Sequence, residues 1–193
     1  MDARKRDLRI VRYGHPALRR KSAPVGRVSE ELRALAEEMA ETMRTANGVG
    51  LAANQVGVNQ RLAVVEVEGK LIVLIDPEIT SRKGEQISDE GCLSLPRLFG
   101  EVARPAEVVV RARDLNGKWF KIRGEGLLAR ALSHEIDHLN GHLFTDRVDE
   151  DTLHWLIRSS DGGEPVVQPT TVAEALKVFA SAAPEAPPDE EGE

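Results

Sequence analysis

A chain of 193 residues has room for one domain with a sizeable core and little beyond it. Hydrophobic residues at 41% and charged residues at 30% exclude a wholly disordered chain, and a net charge of −6 leaves no basic surplus for a nucleic-acid backbone or an anionic membrane. The single cysteine, Cys92, excludes an internal disulfide and leaves its thiol to packing or to chemistry.

No stretch approaches the roughly 18 consecutive apolar residues that span a bilayer, and the charged N-terminus lacks the apolar segment of a secretory signal. The expected location is the cytoplasm. In chain order, the basic run from Lys5 to Arg12, interrupted by Asp7 and Leu8, reads as a solvated arm. Gly14-His15-Pro16 marks a turn and Ala23-Pro24-Val25-Gly26 a loop. A helix follows, capped by Ser29, with Leu32, Leu35, Ala36, Met39 and Met43 forming its apolar stripe and Asn47-Gly48 ending it. After a loop over 48–57, the β-branched runs Arg61 to Val67 and Leu71 to Ile75 predict a hairpin across Glu68-Gly69-Lys70. Pro77 restricts the second strand to an edge or an end there, and Ser81 to Glu85 reads as a polar turn. Glu107 to Arg113 and Trp119 to Arg123 predict a second hairpin through Asp114 to Gly117, so antiparallel pairing is favoured over βαβ units.

Gly126 to Asn140 is the second clear helix, with Gly141 placed for a left-handed cap. Leu127, Ala131, His134 and His138 share one stripe of it, expected to face the core. Beyond Asp161-Gly162-Gly163 the pattern weakens: Val172 to Ala180 predicts one short helix, while Ala183 to Glu193, rich in proline and acid, is expected to be disordered. The expected organisation is a catalytic domain over 1–160 and a C-terminal extension over 161–193.

His134-Glu135-Ile136-Asp137-His138 matches H-E-x-x-H on a predicted helix. Residues four apart are offset by only about 40° around the axis, so both imidazoles can reach one ion. Glu135 then lies where a carboxylate can take a proton from a water acidified by that ion. By itself the pentapeptide is also compatible with satisfied core histidines and a surface glutamate, so a third ligand is needed. The metzincin continuation would place a histidine where Phe144 stands. His142 follows the chain-turning Gly141 and reads as a surface residue; His15 and His154 lack a supporting pattern. Cys92 remains, in Glu90-Gly91-Cys92-Leu93-Ser94-Leu95-Pro96, whose glycine and proline suggest a fixed backbone rather than a plain buried strand. A thiolate and two imidazoles leave one tetrahedral position open, although a lone cysteine among apolar neighbours also reads as a small core residue.

Taken together, Gly48-Val49-Gly50-Leu51-Ala52-Ala53-Asn54-Gln55, Glu90-Gly91-Cys92-Leu93-Ser94 and His134-Glu135-Ile136-Asp137-His138-Leu139-Asn140-Gly141 resemble, in order, the three signature motifs of the peptide deformylases. The resemblance covers roughly residues 8 to 158. It implies an α+β fold of antiparallel β-sheets packed around a central helix carrying the H-E-x-x-H motif. It implies removal of the N-formyl group from the N-terminal formyl-methionine of new polypeptides, releasing formate. By the same resemblance, Cys92, His134 and His138 hold one divalent ion, with Fe2+ favoured and Zn2+ or Ni2+ able to take its place. Glu135 serves as general acid and base, while Gln55 and the backbone N–H of Leu93 polarise the formyl oxygen. Gln55 alone would read as a turn residue.

The backbone of Val49 and Gly50 suits close approach by an extended peptide, and the helix and the stretch Leu93 to Phe99 offer walls for a methionine pocket. Asp137 reads as an orienter of an imidazole, as a partner of an arginine or as a solvent-facing carboxylate. Glu90 reads as a brace for the Cys92 loop or as a turn residue. Ser133 departs from the glutamine that bacterial members often carry before the His-Glu pair. The partners implied are formyl-methionyl nascent peptides, with room for transient ribosome association and none for direct nucleic-acid or membrane binding. Two rival readings are a metalloprotease with a different third ligand and a metal-binding module without turnover.

Overall fold

The structure, a computed structural model, describes residues 8–157 and 163–181. The segment from Ala183 to Glu193, and the basic residues before Leu8, lie outside the described residues.

The first helix, α1 (Glu30–Thr45), starts where expected: the Ser29 hydroxyl accepts the Leu32 N–H at 3.3 Å, and Glu30 and Glu31 sit at the positive end of the helix. It buries Leu32, Ala36, Met39 and Met43 against Leu51, Leu62, Val64 and Ile75, and the chain turns away at Asn47 with φ 55°. Strands β1 (Gly50–Ala52), β2 (Leu62–Val67) and β3 (Lys70–Lys83) follow, then β4 (Gln86–Cys92), β5 (Leu95–Arg104), β6 (Glu107–Arg113) and β7 (Trp119–Glu125). The turn between β2 and β3 is the two-residue Glu68-Gly69, both at positive φ, which matches the strand twist of a tight hairpin. A five-stranded antiparallel sheet runs β1-β2-β3-β6-β7. Its alternation supplies both faces: Val64 packs with α1, whereas Val65, Leu74, Val108 and Val110 pack with Ala129, Leu132 and Ile136 of α2 (Gly126–Leu139). Helix α2 also touches β5, so it stands between this sheet and the second one, in an α+β arrangement.

Four expectations are corrected. The strand containing Pro77 does not end there; β3 continues to Lys83 because its ladder to β6 skips between Ile75 and Glu78, and a bulge tolerates a residue without an N–H. The polar turn shrinks to Gly84 and Glu85. The segment around Cys92 is no isolated loop: β4 and β5 form a long hairpin, and Cys92 is the last residue of β4. Leu127 leaves the core stripe, being 46% exposed, and lines a groove with Leu71 and Phe120.

The second sheet runs β4-β5-β8-β9, with β8 (His154–Ile157) on β5 and β9 (Val166–Pro169) on β8. The helix expected near Val172 is α3 (Val172–Ser181), whose Ala175, Leu176 and Phe179 join a cluster containing Cys92, Leu95, Trp155 and Tyr13. At the far end of α2, Gly141 has φ 81°, and a Cβ there would lie 2.7 Å from the carbonyl oxygen of Arg19, so both the cap and the packing require glycine. Among the described residues no helix is long and apolar enough to cross a membrane.

Candidate metal centre and active site

One turn of α2 separates His134 from His138, and their Nε2 atoms approach to 3.1 Å with the rings 71° apart. The end of β4 brings the Cys92 sulfur to 3.2 Å from His138 Nε2, and the three donor atoms lie within 4.8 Å of one another in a buried position. A tetrahedral ion at 2.0–2.1 Å from two imidazoles holds their nitrogens about 3.3 Å apart, so the spacing and the donor types fit one thiophilic divalent cation.

The surrounding charges agree with that fit. His134 Nδ1 bonds the Glu90 carboxylate at 2.9 Å, the arrangement that fixes the ring and leaves Nε2 for an ion. Glu90 is gripped in turn by Arg104, Nε to Oε1 and Nη2 to Oε2 at 2.9 Å each. Arg104 also donates to Asp137, which takes further bonds from Arg147 at 2.7 and 3.1 Å. Burial alone would raise the Glu90 carboxyl, but His134 and Arg104 outweigh it and hold it at about 2. Burial would likewise lower His134, yet the Cys92 thiol and Glu90 lift it to about 10. His138 is lowered, by burial and by positive charge at His134.

Glu135, next to His134 on α2, is buried beside the same cluster. It is 3% exposed, its Oε2 has no hydrogen-bond partner among the described residues, and burial raises its carboxyl to about 7 against the pull of His134. Gly50 makes room for it: a Cβ at that position would stand 2.3 Å from Glu135 Oε1 and 2.8 Å from its Cγ.

The family model for polypeptide deformylase matches residues 7–153. The peptide deformylase of Caldanaerobacter subterraneus subsp. tengcongensis is 54% identical over 139 residues, covering 72% of this chain and 87% of that protein. The crystal structure of a peptide deformylase from Legionella pneumophila matches with a TM-score of 0.71 at 46% identity, over 73% of this chain and 85% of the other. That from Thermotoga maritima gives 0.73 at 39% identity, over 75% and 99%. The chain belongs to the polypeptide deformylase family. It is an enzyme, a metal-dependent hydrolase that removes the N-formyl group from nascent polypeptides.

The remaining residues singled out in the family's first two motifs lie close by. Gln55 is buried in a 3-10 turn over Ala53–Val56; its Oε1 accepts the Ala52 N–H at 2.8 Å, and its Nε2 points at Cys92 Sγ, 3.5 Å away, and at Ser94 Oγ, 3.3 Å away. Leu93 follows Cys92 in the turn between β4 and β5, and its carbonyl accepts a bond from Arg12 at 2.9 Å. Gly50 opens β1, an end strand of the five-stranded sheet, and Val49 just before it is 45% exposed with its carbonyl bonded to Glu66 N–H at 2.9 Å.

The other histidines stay apart from this cluster: His15 caps a 3-10 turn through Ala17 N–H, His142 faces Asp146 at 3.8 Å, and His154 lies 2.8 Å from the Thr152 carbonyl. Ser133 is buried and bonds its own helix at Ala129 O. Sequence reasoning missed Arg104, Arg147, Ser94 and Asn54, the last of which donates to the His138 carbonyl at 2.5 Å. Asn54 and Ser94 stand inside the first two motifs without an assigned role; no motif announces Arg104 or Arg147, although the inward period of β5 carries a signal for Arg104.

Proposed function

We propose that Cys92, His134 and His138 hold one divalent ion and that the formyl group is hydrolysed beside it. When bound, the ion supplies Lewis-acid polarisation and acidifies a water. Glu135 takes the proton of the attacking water and returns it to the departing amine; a carboxyl near neutrality is suited to both transfers. The Gln55 amide and the Leu93 N–H donate to the formyl oxygen as charge develops on it. The backbone of Val49 and Gly50 receives the formyl-methionyl peptide in extended form, on an end strand. The observation that carries this reading is the convergence of three ligand-type donors with the buried carboxylate of Glu135, whose Oε2 lacks a hydrogen-bond partner among the described residues and which is seated against the only kind of residue that leaves it space.

Fe2+ is the ion favoured, with Zn2+ or Ni2+ able to replace it, since imidazole and thiolate accept all three. If iron is native, activity should decay faster in air than under argon as the ion or Cys92 oxidises, and equal lifetimes would sink that choice. We assign residues 1–160 to the catalytic domain and 161–193 to an extension, place the enzyme in the cytoplasm, and include transient ribosome association among its contacts. The deciding experiment is formate release from a formyl-Met tripeptide by protein prepared without oxygen, beside Cys92→Ser and an unformylated control, with metal counted for each. Turnover by the parent and loss of both metal and turnover in Cys92→Ser are expected. A variant that keeps metal and activity would refute the ligand set, and cleavage of the unformylated peptide would favour a protease.

A further inference from the structure

The segment Val11 to Tyr13 ties together the two stretches that carry the donors. Val11 N–H bonds Gln55 O at 2.8 Å, Tyr13 N–H bonds Ser94 O at 3.1 Å, and Arg12 Nη1 bonds Leu93 O at 2.9 Å. One short strap therefore holds the backbone of Gln55 on one side and that of Leu93 and Ser94 on the other. The strap has its own support. The Tyr13 ring meets Phe179 of α3 with centroids 6.3 Å apart, and Phe179 meets Trp155 of β8 at 5.3 Å. Ala175, fully buried, and Leu176 complete a cluster that also contains Cys92 and Leu95. Trp155, Ala175, Leu176 and Phe179 all lie beyond residue 153, where the match to the family ends.

We propose that α3 is a positioning element of the active site: through Phe179 and Tyr13 it fixes the strap that sets the spacing between Gln55 and Leu93. The extension thus acts on the reaction without touching substrate. The proposal rests on the reading of Gln55 and Leu93 as oxyanion donors. Hydrogen bonds aimed at developing charge lose value steeply with misplacement, about 100-fold in rate for 1 Å, so a strap loosened by a fraction of that costs about tenfold. A merely structural helix would change stability and leave the rate constant of folded protein alone.

The test uses the full-length, metal-loaded protein with Phe179→Ala, Phe179→Tyr and Gln55→Ala. Phe179→Ala should lower kcat by about tenfold with KM within about twofold and metal content unchanged, and should speed amide hydrogen exchange at Val11 and Tyr13. Phe179→Tyr should restore both. Unchanged exchange at Val11 and Tyr13, parental kcat in Phe179→Ala, or a loss of activity that tracks a loss of metal would each overturn the proposal. Parental kcat in Gln55→Ala would instead remove the donor reading, and exchange at Val11 and Tyr13 would then decide alone whether α3 holds the strap.

Discussion

Gly50→Ala presses on Glu135 while keeping the Gly50 backbone N–H and C=O that are proposed to receive the peptide. Gly50 does not have positive φ, so alanine adds no backbone strain, and the consequence is steric. The added Cβ would stand 2.3 Å from Glu135 Oε1 and 2.7 Å from its Cδ, whereas carbon contacts settle at about 3.5 Å. Strand β1 cannot yield easily, because Gly50, Leu51 and Ala52 are all registered on β2. The carboxylate must therefore retreat by about 1 Å, and a displacement of that size at a reacting centre costs about 100-fold in rate, or about 2.7 kcal/mol of transition-state stabilisation. The assay is formate release under anaerobic conditions, with metal content and circular dichroism as controls. Expected are full metal occupancy, a native spectrum and a kcat lower by about two orders of magnitude. Activity within threefold of the parent at full occupancy would refute the claim that Glu135 must occupy the place Gly50 leaves for it.

Glu135→Gln should retain metal while kcat falls by about 10²- to 10⁴-fold, the usual contribution of a positioned acid or base; a fully active variant removes the assignment. Glu90→Gln should weaken metal affinity by about 10- to 100-fold in competition with a chelator, because it frees the His134 ring, and unchanged affinity would mean that packing alone orients that imidazole. Arg104→Met leaves the Glu90 carboxylate buried without its cation, both side chains being 4% exposed, and should lower stability by about 3–5 kcal/mol in urea titrations. A loss below about 1 kcal/mol would show that Glu90 and Asp137 find other partners.

The first sheet could be read from the sequence because its physics is local. Val64 and Val65 alternate between two buried faces, and Glu68-Gly69 can adopt the positive φ values that a two-residue turn requires. The second sheet was hidden for a reason equally specific. Its β4 strand reads Gln86-Ile87-Ser88-Asp89-Glu90, with Ile87 turned outward at 60% exposure and Glu90 turned inward, the reverse of the alternation that marks a half-buried strand. The bulge at Pro77 escaped because it depends on the register with β6, which lies some thirty residues away in the chain.

In the site, the pair His134 and His138 was legible because helix geometry alone places them together, whereas Cys92 needed a pairing across 46 residues that no local pattern encodes. Arg104 was missed for want of following a pattern to its end. The inward positions of β5 are Leu98, Gly100, Val102 and then Arg104, a strict period of two that closes on a guanidinium. An arginine on the inward face of a strand cannot stay there unpaired, so its presence demands buried carboxylates nearby. Glu90 and Asp137 meet that demand, and both belong to the motifs that carry the proposed ligands. The arginine therefore links the strand hairpin that presents Cys92 to the helix that presents the histidines, which is where a site assembled from two separate elements most needs a fixed spacing.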